Sequence, residues 1–461
     1  MSAAVAGLDT GALESRLRGE LIGAGDGRYE DARAVYNGMI DKRPALIARC
    51  RDVADVIATV DFARGSGLPL AICGGGHNAG GLCSVDGGIV LDLGAMNGVR
   101  VDPNRRTAVV EGGALWADVD HACSAFGLAT PAGTISTTGV GGLTLGGGVG
   151  HLTRTYGLTI DNLLAADVVL ADGSFVTATE DEHADLFWAL RGGGGNFGVV
   201  TAFTFRLHPV AVTMFGPILW ELERAAEAMA FYREFILSAP DELNGFFAFL
   251  TVPPGPPFPE HLHLKKMCGV VWNWTGPHEQ VDEVLAPVRA FATPALDGVG
   301  PVPHVALQSA FDALYPPGLQ QYWRADFFNE LSDEAIAKHV EWGSKLPTPL
   351  STTHFYPVDG AAGRVATDAT PWSYRDAKWA QVIVAADPDP ANAELLRSWC
   401  VGYWEAVHPY SAGGAYVNFM MDEGQERVQA TYGDNYGRLA AVKAVYDPNN
   451  LFSVNQNIRP A

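Results

Sequence analysis

Residues 71–92 read AICGGGHNAGGLCSVDGGIVLD, a single histidine inside a glycine-rich loop between two apolar runs. So few side chains let backbone N–H groups approach a ligand closely, and that donor set suits a pyrophosphate. Gly74, Gly75 and Gly76 supply those donors, so His77 reads as the residue that meets a cofactor's reactive end. The rival reading is a loop histidine that caps a backbone carbonyl. A second block, residues 139–150 (GVGGLTLGGGVG), leaves almost no side chains with which to build a core. Backbone approach to a cofactor explains it more economically than tight turns and close helix packing. Gly192–Gly195 with Asn196 reads as support for the same site. No GxGxxG near the N-terminus, followed about 20 positions on by an acidic residue, offers a Rossmann alternative.

The surrounding elements follow from periodicity and punctuation. A strand at 45–50, a helix at 53–64 capped by Asp52 and closed by Gly67, and a strand at 68–72 lead into the histidine loop. Strands are expected at 89–93, 99–101, 107–111 and 199–205, a helix at 115–126, and a hairpin around Ala171-Asp172-Gly173. His208-Pro209 breaks the pattern. Beyond residue 210 glycine thins and tryptophan and tyrosine become frequent. There the pattern gives helices at 224–237 and 333–345 and strands at 246–251, 269–274 and 381–385. Those aromatics read as core more often than as a substrate box. A last helix spans 438–446, stopped by Asp447-Pro448.

With 461 residues, two domains are the prior expectation. The 53 glycines exceed the usual ~7%, and many fall before residue 200. Lys and Arg number 31 against 52 Asp and Glu, a net charge of −21. That surface repels nucleic acid and anionic lipid, and no basic cluster interrupts it. The six cysteines show neither CxxC nor metal-ligand spacing, so buried thiols and no metal are expected. MSAAVAGLDT has no signal-peptide pattern, and no apolar run is long enough to span a membrane, so the expected location is cytoplasmic.

GGGHNAGG (74–81), the 139–150 block with Arg154, Tyr156-Gly157-Leu158 and Asp161-Asn162, and DLFWALRGGGGNFG (185–198) occur in an order that resembles a known family. So do Tyr436-Gly-Arg-Leu, Asp447-Pro-Asn-Asn-Leu-Phe and Asn455-Gln456. It is the berberine bridge enzyme-like FAD-linked oxidases of the vanillyl-alcohol oxidase superfamily, with the PCMH-type FAD-binding fold. The resemblance implies an α+β protein: an FAD-binding domain at 1–207, a substrate domain at 208–410 with an antiparallel sheet and flanking helices, and a segment at 411–461 returning to the first domain. It implies FAD bound through Gly74, Gly75, Gly76, Asn78, Gly81, Gly133, Thr138, Gly139, Gly142, Gly146, Gly147, Gly150, Val199 and Asn455, with His77 joined to the flavin 8α-methyl. Bicovalent members carry a cysteine where this chain has Ile135, so the expected linkage is monocovalent. The implied reaction is hydride transfer from a small organic substrate to flavin, with reoxidation by O₂ to H₂O₂. A dehydrogenase using another acceptor, and a flavin-binding protein without catalysis, stay open. Substrate identity and oligomeric state are likewise open.

Both of the family's usual bases are missing. The second tyrosine of its YxNY motif is Phe419 here, which cannot accept a proton, and the strand position used for a carboxylate corresponds to Gln381. An amine can be oxidised in its neutral form without a protein base; an alcohol needs another group near its proton. Tyr356, His354, Tyr416, Tyr156 and His151 are the candidates. His354 and Tyr356 stand two apart on an expected strand and share a face, which ranks Tyr356 first.

Overall fold

The computed structural model of the chain describes residues 10–461. The expectation about a signal peptide in MSAAVAGLDT falls almost wholly outside the described residues. The first sheet orders Glu20–Gly23, Leu46–Arg49, Ile89–Asp92 and Leu70–Cys73, with its last three strands parallel. The helix Val53–Ser66 makes the parallel crossover. Asp52 accepts from Asp55 N at its start, and Gly67, at φ 68°, closes it in the left-handed region that glycine adopts freely. Leu70–Cys73 therefore ends where the histidine loop begins.

The second sheet is antiparallel and orders Val99–Asp102, Thr107–Glu111, Val199–Arg206, Leu163–Val169 and Phe175–Ala178. Its core takes in Ala415, Met420, Val428, Leu439 and Ile458, so the C-terminal segment packs into the N-terminal half. Lys443, fully buried, fixes this return. Its ammonium reaches Asp447 at 2.7 Å and the carbonyls of Asn196 and Phe452 at 2.6 and 2.9 Å.

The third sheet has eight strands, all antiparallel, between Val212 and Asp387. Period-two alternation divides it into two faces. Phe247, Phe249, Phe355 and Ile383 pack beneath the helices Ala225–Ser238, Val281–Phe291, Asp333–Gly343 and Ala393–Val407. Phe246, Ala248, Tyr356, Val382 and Val384 occupy the opposite face. Two buried ion pairs lock this sheet to the first half of the chain: Arg154–Asp359 at 2.8 Å and Arg375–Asp161 at 2.7 Å. Arg154 and Asp161, singled out in the sequence, are thus clamps between the two halves.

Three differences from the sequence reading have physical causes. His208–Pro209 pairs with Leu128–Ala129 as a short bridge instead of ending the pattern. Gln320–Phe328 (QQYWRADFF) is an edge strand, paired with Trp379–Asp387, that periodicity does not reveal, because Asp326 is buried through an ion pair with Arg427 and a hydrogen bond with His408. Val212–Glu221, Val281–Phe291 and Ala393–Val407 are further elements that the sequence reading leaves out; Gly216-Pro217, Pro287 and Gly402 inside them read as breaks. No helix among the described residues is long and apolar enough to cross a membrane.

Candidate active site

One large cavity lies between the glycine loops and the open face of the third sheet. Its floor is backbone. A Cβ on Gly75 would meet Gly139 N at 2.5 Å, one on Gly74 would meet Gly112 O at 3.3 Å, and one on Gly141 would meet Gly112 O at 3.0 Å. Three chain segments can approach this closely only without side chains. Gly76 adds a left-handed φ of 67° that turns the chain into His77. Gly142 and Gly195 face open space along the same floor.

His77 is partly buried with its Nε2 enclosed, and this desolvation lowers its pKa to about 4, so its imidazole is neutral at pH 7. Its Nε2 is buried without any hydrogen-bond partner, as is Asn455 Oδ1 on the same cavity wall. Unsatisfied polar atoms at a side-chain-free floor fit a polar group that the protein itself does not contain. FAD meets that requirement: Gly74–Asn78, Gly133, Thr138, Gly139, Gly142 and Asn455 all line the cavity. Ile135 lines it too, and so offers no thiol for a second covalent bond.

The facing wall is made of side chains. Phe246, Phe311, Trp323, Val382, Val384 and Phe419 surround one polar line. Thr352 donates its hydroxyl to Phe249 O at 2.7 Å, and its oxygen lies 3.0 Å from His354 Nε2. His354 Nδ1 is 2.9 Å from Tyr356 Oη. Because the threonine proton is already committed, His354 Nε2 must donate to that oxygen. Nδ1 is then the acceptor and takes the hydrogen bond from Tyr356. Burial pushes the His354 pKa down to about 3 and the Tyr356 pKa well up, so both are neutral at pH 7. Among the described residues no Asp, Glu, Lys or Arg lines the cavity, in a chain whose net charge is −21.

Several other candidates lie elsewhere. Tyr156 stacks on His208 with ring centres 4.0 Å apart, away from the cavity. His151 sits behind the wall, against Phe215, Phe246 and Phe311, and does not line the cavity. Tyr416 does line it. However, its oxygen already receives Gly148 N at 2.9 Å and Asn418 Nδ2 at 2.7 Å, which leaves it no capacity to accept a substrate proton. Gly146, Gly147, Gly150 and Gly81 pack against Asn418, Trp372, the Ala132 and Gly133 carbonyls, and Ile40, and none borders the cavity. Val199 turns into the core while its neighbour Val200 lines the cavity. Gln381 faces Thr353 on the helix-covered side of its strand, and Val382 and Val384 take the cavity positions. Of the tryptophans, Trp220, Trp272, Trp274 and Trp379 are core. Sequence reasoning missed Tyr36, Phe246, Phe311 and Thr352; for Tyr36 no local signal marks it out. Among the described residues no cluster of His, Cys, Asp or Glu is arranged to hold a metal ion.

Known proteins are similar to this chain in sequence and fold. Residues 44–179 match the family of FAD binding domains, and residues 415–459 match the berberine and berberine-like family. An FAD-linked oxidoreductase of Dictyostelium discoideum is 31% identical over 92% of this chain and 91% of its own. The (R)-6-hydroxynicotine oxidase of Paenarthrobacter nicotinovorans is 29% identical over 96% and 97%. The crystal structure of 6-hydroxy-D-nicotine oxidase from Arthrobacter nicotinovorans superposes with a TM-score of 0.86 at 27% identity, covering 96% of this chain and 98% of that one. That of a glucooligosaccharide oxidase from Acremonium strictum gives 0.85 at 25%, covering 98% of each. The chain belongs to the berberine bridge enzyme-like FAD-linked oxidoreductases, with their α+β two-domain fold. It is an FAD-dependent oxidoreductase.

Proposed function

We propose that this enzyme oxidises a small, uncharged organic alcohol, with FAD held covalently and singly through His77. The observation that carries the reading is the Thr352–His354–Tyr356 line, set in a charge-free wall that faces the His77 floor. Bound FAD would take up the two electrons and the hydrogen of the substrate C–H bond and pass the electrons to O₂, giving H₂O₂. The protein's share is positioning and proton handling. Tyr356 Oη accepts the substrate hydroxyl proton as its own passes to His354 Nδ1, and Thr352 holds the imidazole in the tautomer that can receive it. The aromatic wall excludes water and strengthens these hydrogen bonds.

The division at 1–207, 208–410 and 411–461 into cofactor domain, substrate domain and returning segment is part of this proposal, as is a cytoplasmic location. All six cysteines are free thiols, which suits a reducing compartment. Acid precipitation of the purified protein, followed by peptide mapping, tests the linkage: flavin that stays on the peptide containing His77 supports it. Flavin released wholly into the supernatant refutes the covalent link. Stoichiometric H₂O₂ during turnover of a neutral aryl carbinol supports the oxidase reading, and turnover only with an added electron acceptor refutes it.

A further inference from the structure

Tyr36 lies far from His77 in sequence, yet its ring stacks on the imidazole with centres 3.7 Å apart and planes inclined by 19°. Among the described residues no other side chain reaches the His77 ring with a hydrogen bond, and Nε2 is left without a partner. An imidazole usually takes its orientation from a hydrogen bond at one of its nitrogens. Here the only hydrogen bond at the ring is to its own backbone, and the stack is the contact from another residue that bears on the plane of the ring. Tyr36 is itself held rigidly. Its backbone N donates to Gly76 O at 3.1 Å, its O accepts from Gly318 N at 2.9 Å, and its hydroxyl donates to Tyr315 O at 2.8 Å. Asn37 continues the strap, with Nδ2 donating to Ala79 O at 2.7 Å and to Gln321 O at 2.9 Å. This strap joins the histidine loop on one side to the start of a cavity-wall strand on the other.

We infer that Tyr36 is the positioning residue for covalent flavin attachment: its ring fixes the His77 plane so that an imidazole nitrogen points along the ring edge at the flavin 8α carbon. The inference rests on the covalent reading of His77 proposed above. In the step, a C–N bond forms between that nitrogen and the 8α carbon. One proton leaves the carbon and one leaves the imidazole, the two electrons of the broken C–H bond reduce the flavin, and dioxygen reoxidises it. A neutral imidazole is required, because a protonated ring has no lone pair to give. The stack covers one face of the ring, and the nitrogen lone pair that forms the bond lies in the ring plane, a direction the stack leaves clear.

The test reads attachment directly and does not depend on turnover. Wild type, Tyr36→Phe, Tyr36→Leu and His77→Ala are purified with FAD, and acid-stable flavin per polypeptide is measured by fluorescence in a denaturing gel. Attachment is also followed in time after FAD is added to protein stripped of, or expressed without, flavin. Tyr36→Phe keeps the ring and loses only the bond to Tyr315, so attachment within about twofold of wild type is expected. Tyr36→Leu is expected to bind FAD that acid releases, with attachment slowed at least tenfold. Attachment in Tyr36→Leu as fast and complete as in wild type overturns the inference. Equal slowing in Tyr36→Phe and Tyr36→Leu also overturns it, because the hydroxyl and not the ring face is then what matters. Should Tyr36→Leu not fold, Tyr36→Met, which fills the space flexibly, carries the same two outcomes. Wild-type protein with only acid-labile flavin refutes the His77 linkage itself, a result distinct from either.

Discussion

The two sides of the cavity follow opposite plans. The floor, from Gly74, Gly75, Gly112, Gly139 and Gly141, is made of backbone and specified by what is missing, since a Cβ would collide with a neighbouring segment at Gly75, Gly112 and Gly139 and crowd one at Gly74 and Gly141. The wall, from Phe246, Tyr356, Val382 and Phe419, is made of side chains and specified by which face of each strand they occupy. The floor is therefore intolerant but general: it offers N–H donors to any ligand with the right backbone-facing groups. The wall is tolerant but particular, because exchanging one of its side chains changes the ligand before it changes the fold. A family can keep one floor and replace many walls. This chain fits that division: it has the histidine loop, while Phe419 and Gln381 stand where a base was expected.

The sharpest way to break the comparison is Gly139→Ala. Its Cβ would press on Gly75 N and Cα, backbone atoms that cannot swing aside. Loss of stoichiometric flavin from the purified variant is expected, read from absorbance, and full retention would show that the floor is less tightly specified than the geometry implies. Tyr356→Phe attacks the wall instead. Flavin content should stay normal while the rate of flavin reduction by an alcohol falls by about 10²–10⁴-fold, as measured by stopped flow. An unchanged rate would remove Tyr356 from the reaction.

Asp120 tests the join between the two halves. It is buried beside Gln308, Oδ2 has no partner, and burial raises its pKa to about 8. The native state therefore keeps a proton that the unfolded chain releases near pH 4. Its favourable contribution is complete below about pH 4 and is lost as pH rises to about 8. Asp120→Asn, which needs no proton, should be more stable than wild type by an amount that grows over this range, at about 1.4 kcal/mol per unit of pH at most. Urea denaturation at pH 5 and pH 8 measures it, and equal effects at both would refute the assignment. His151, His304, His339 and His354 act in the opposite sense. Their native pKa values are lowered to between about 3 and 4, so acidification below about 6.5 destabilises the fold.

The smallest expected effect comes from Gln381→Leu, on the far side of the strand that carries Val382. Turnover should change by less than about twofold and stability by under about 1 kcal/mol, because the amide removed leaves Oε1 unsatisfied already. A large loss of activity would mean that this face of the strand communicates with the cavity.

Much of the floor could be read in the sequence before the fold was known. His77 and its glycines are recognisable because the lack of a Cβ is a property of the residue itself, and it stays informative wherever the loop ends up. The same logic misassigned Gly81, Gly146, Gly147 and Gly150: a glycine reveals close approach but not to what, and these four approach protein. The pairing of His354 with Tyr356 was visible as a two-residue spacing, because alternation along a strand is local. That this face, and not the one holding Phe355, borders the cavity was settled by the helices packed on the other side. Tyr416 looked equally able to take a proton until Gly148 N and Asn418 were seen to fill its oxygen. Tyr36 had no mark at all. The amino-acid order by itself determined the cofactor floor and the class of chemistry, since both depend on residue type over a few neighbouring positions. Only the tertiary structure decided which of the candidate tyrosines and histidines face the cavity and which ring stacks on His77, because those outcomes depend on contacts between segments far apart in the chain.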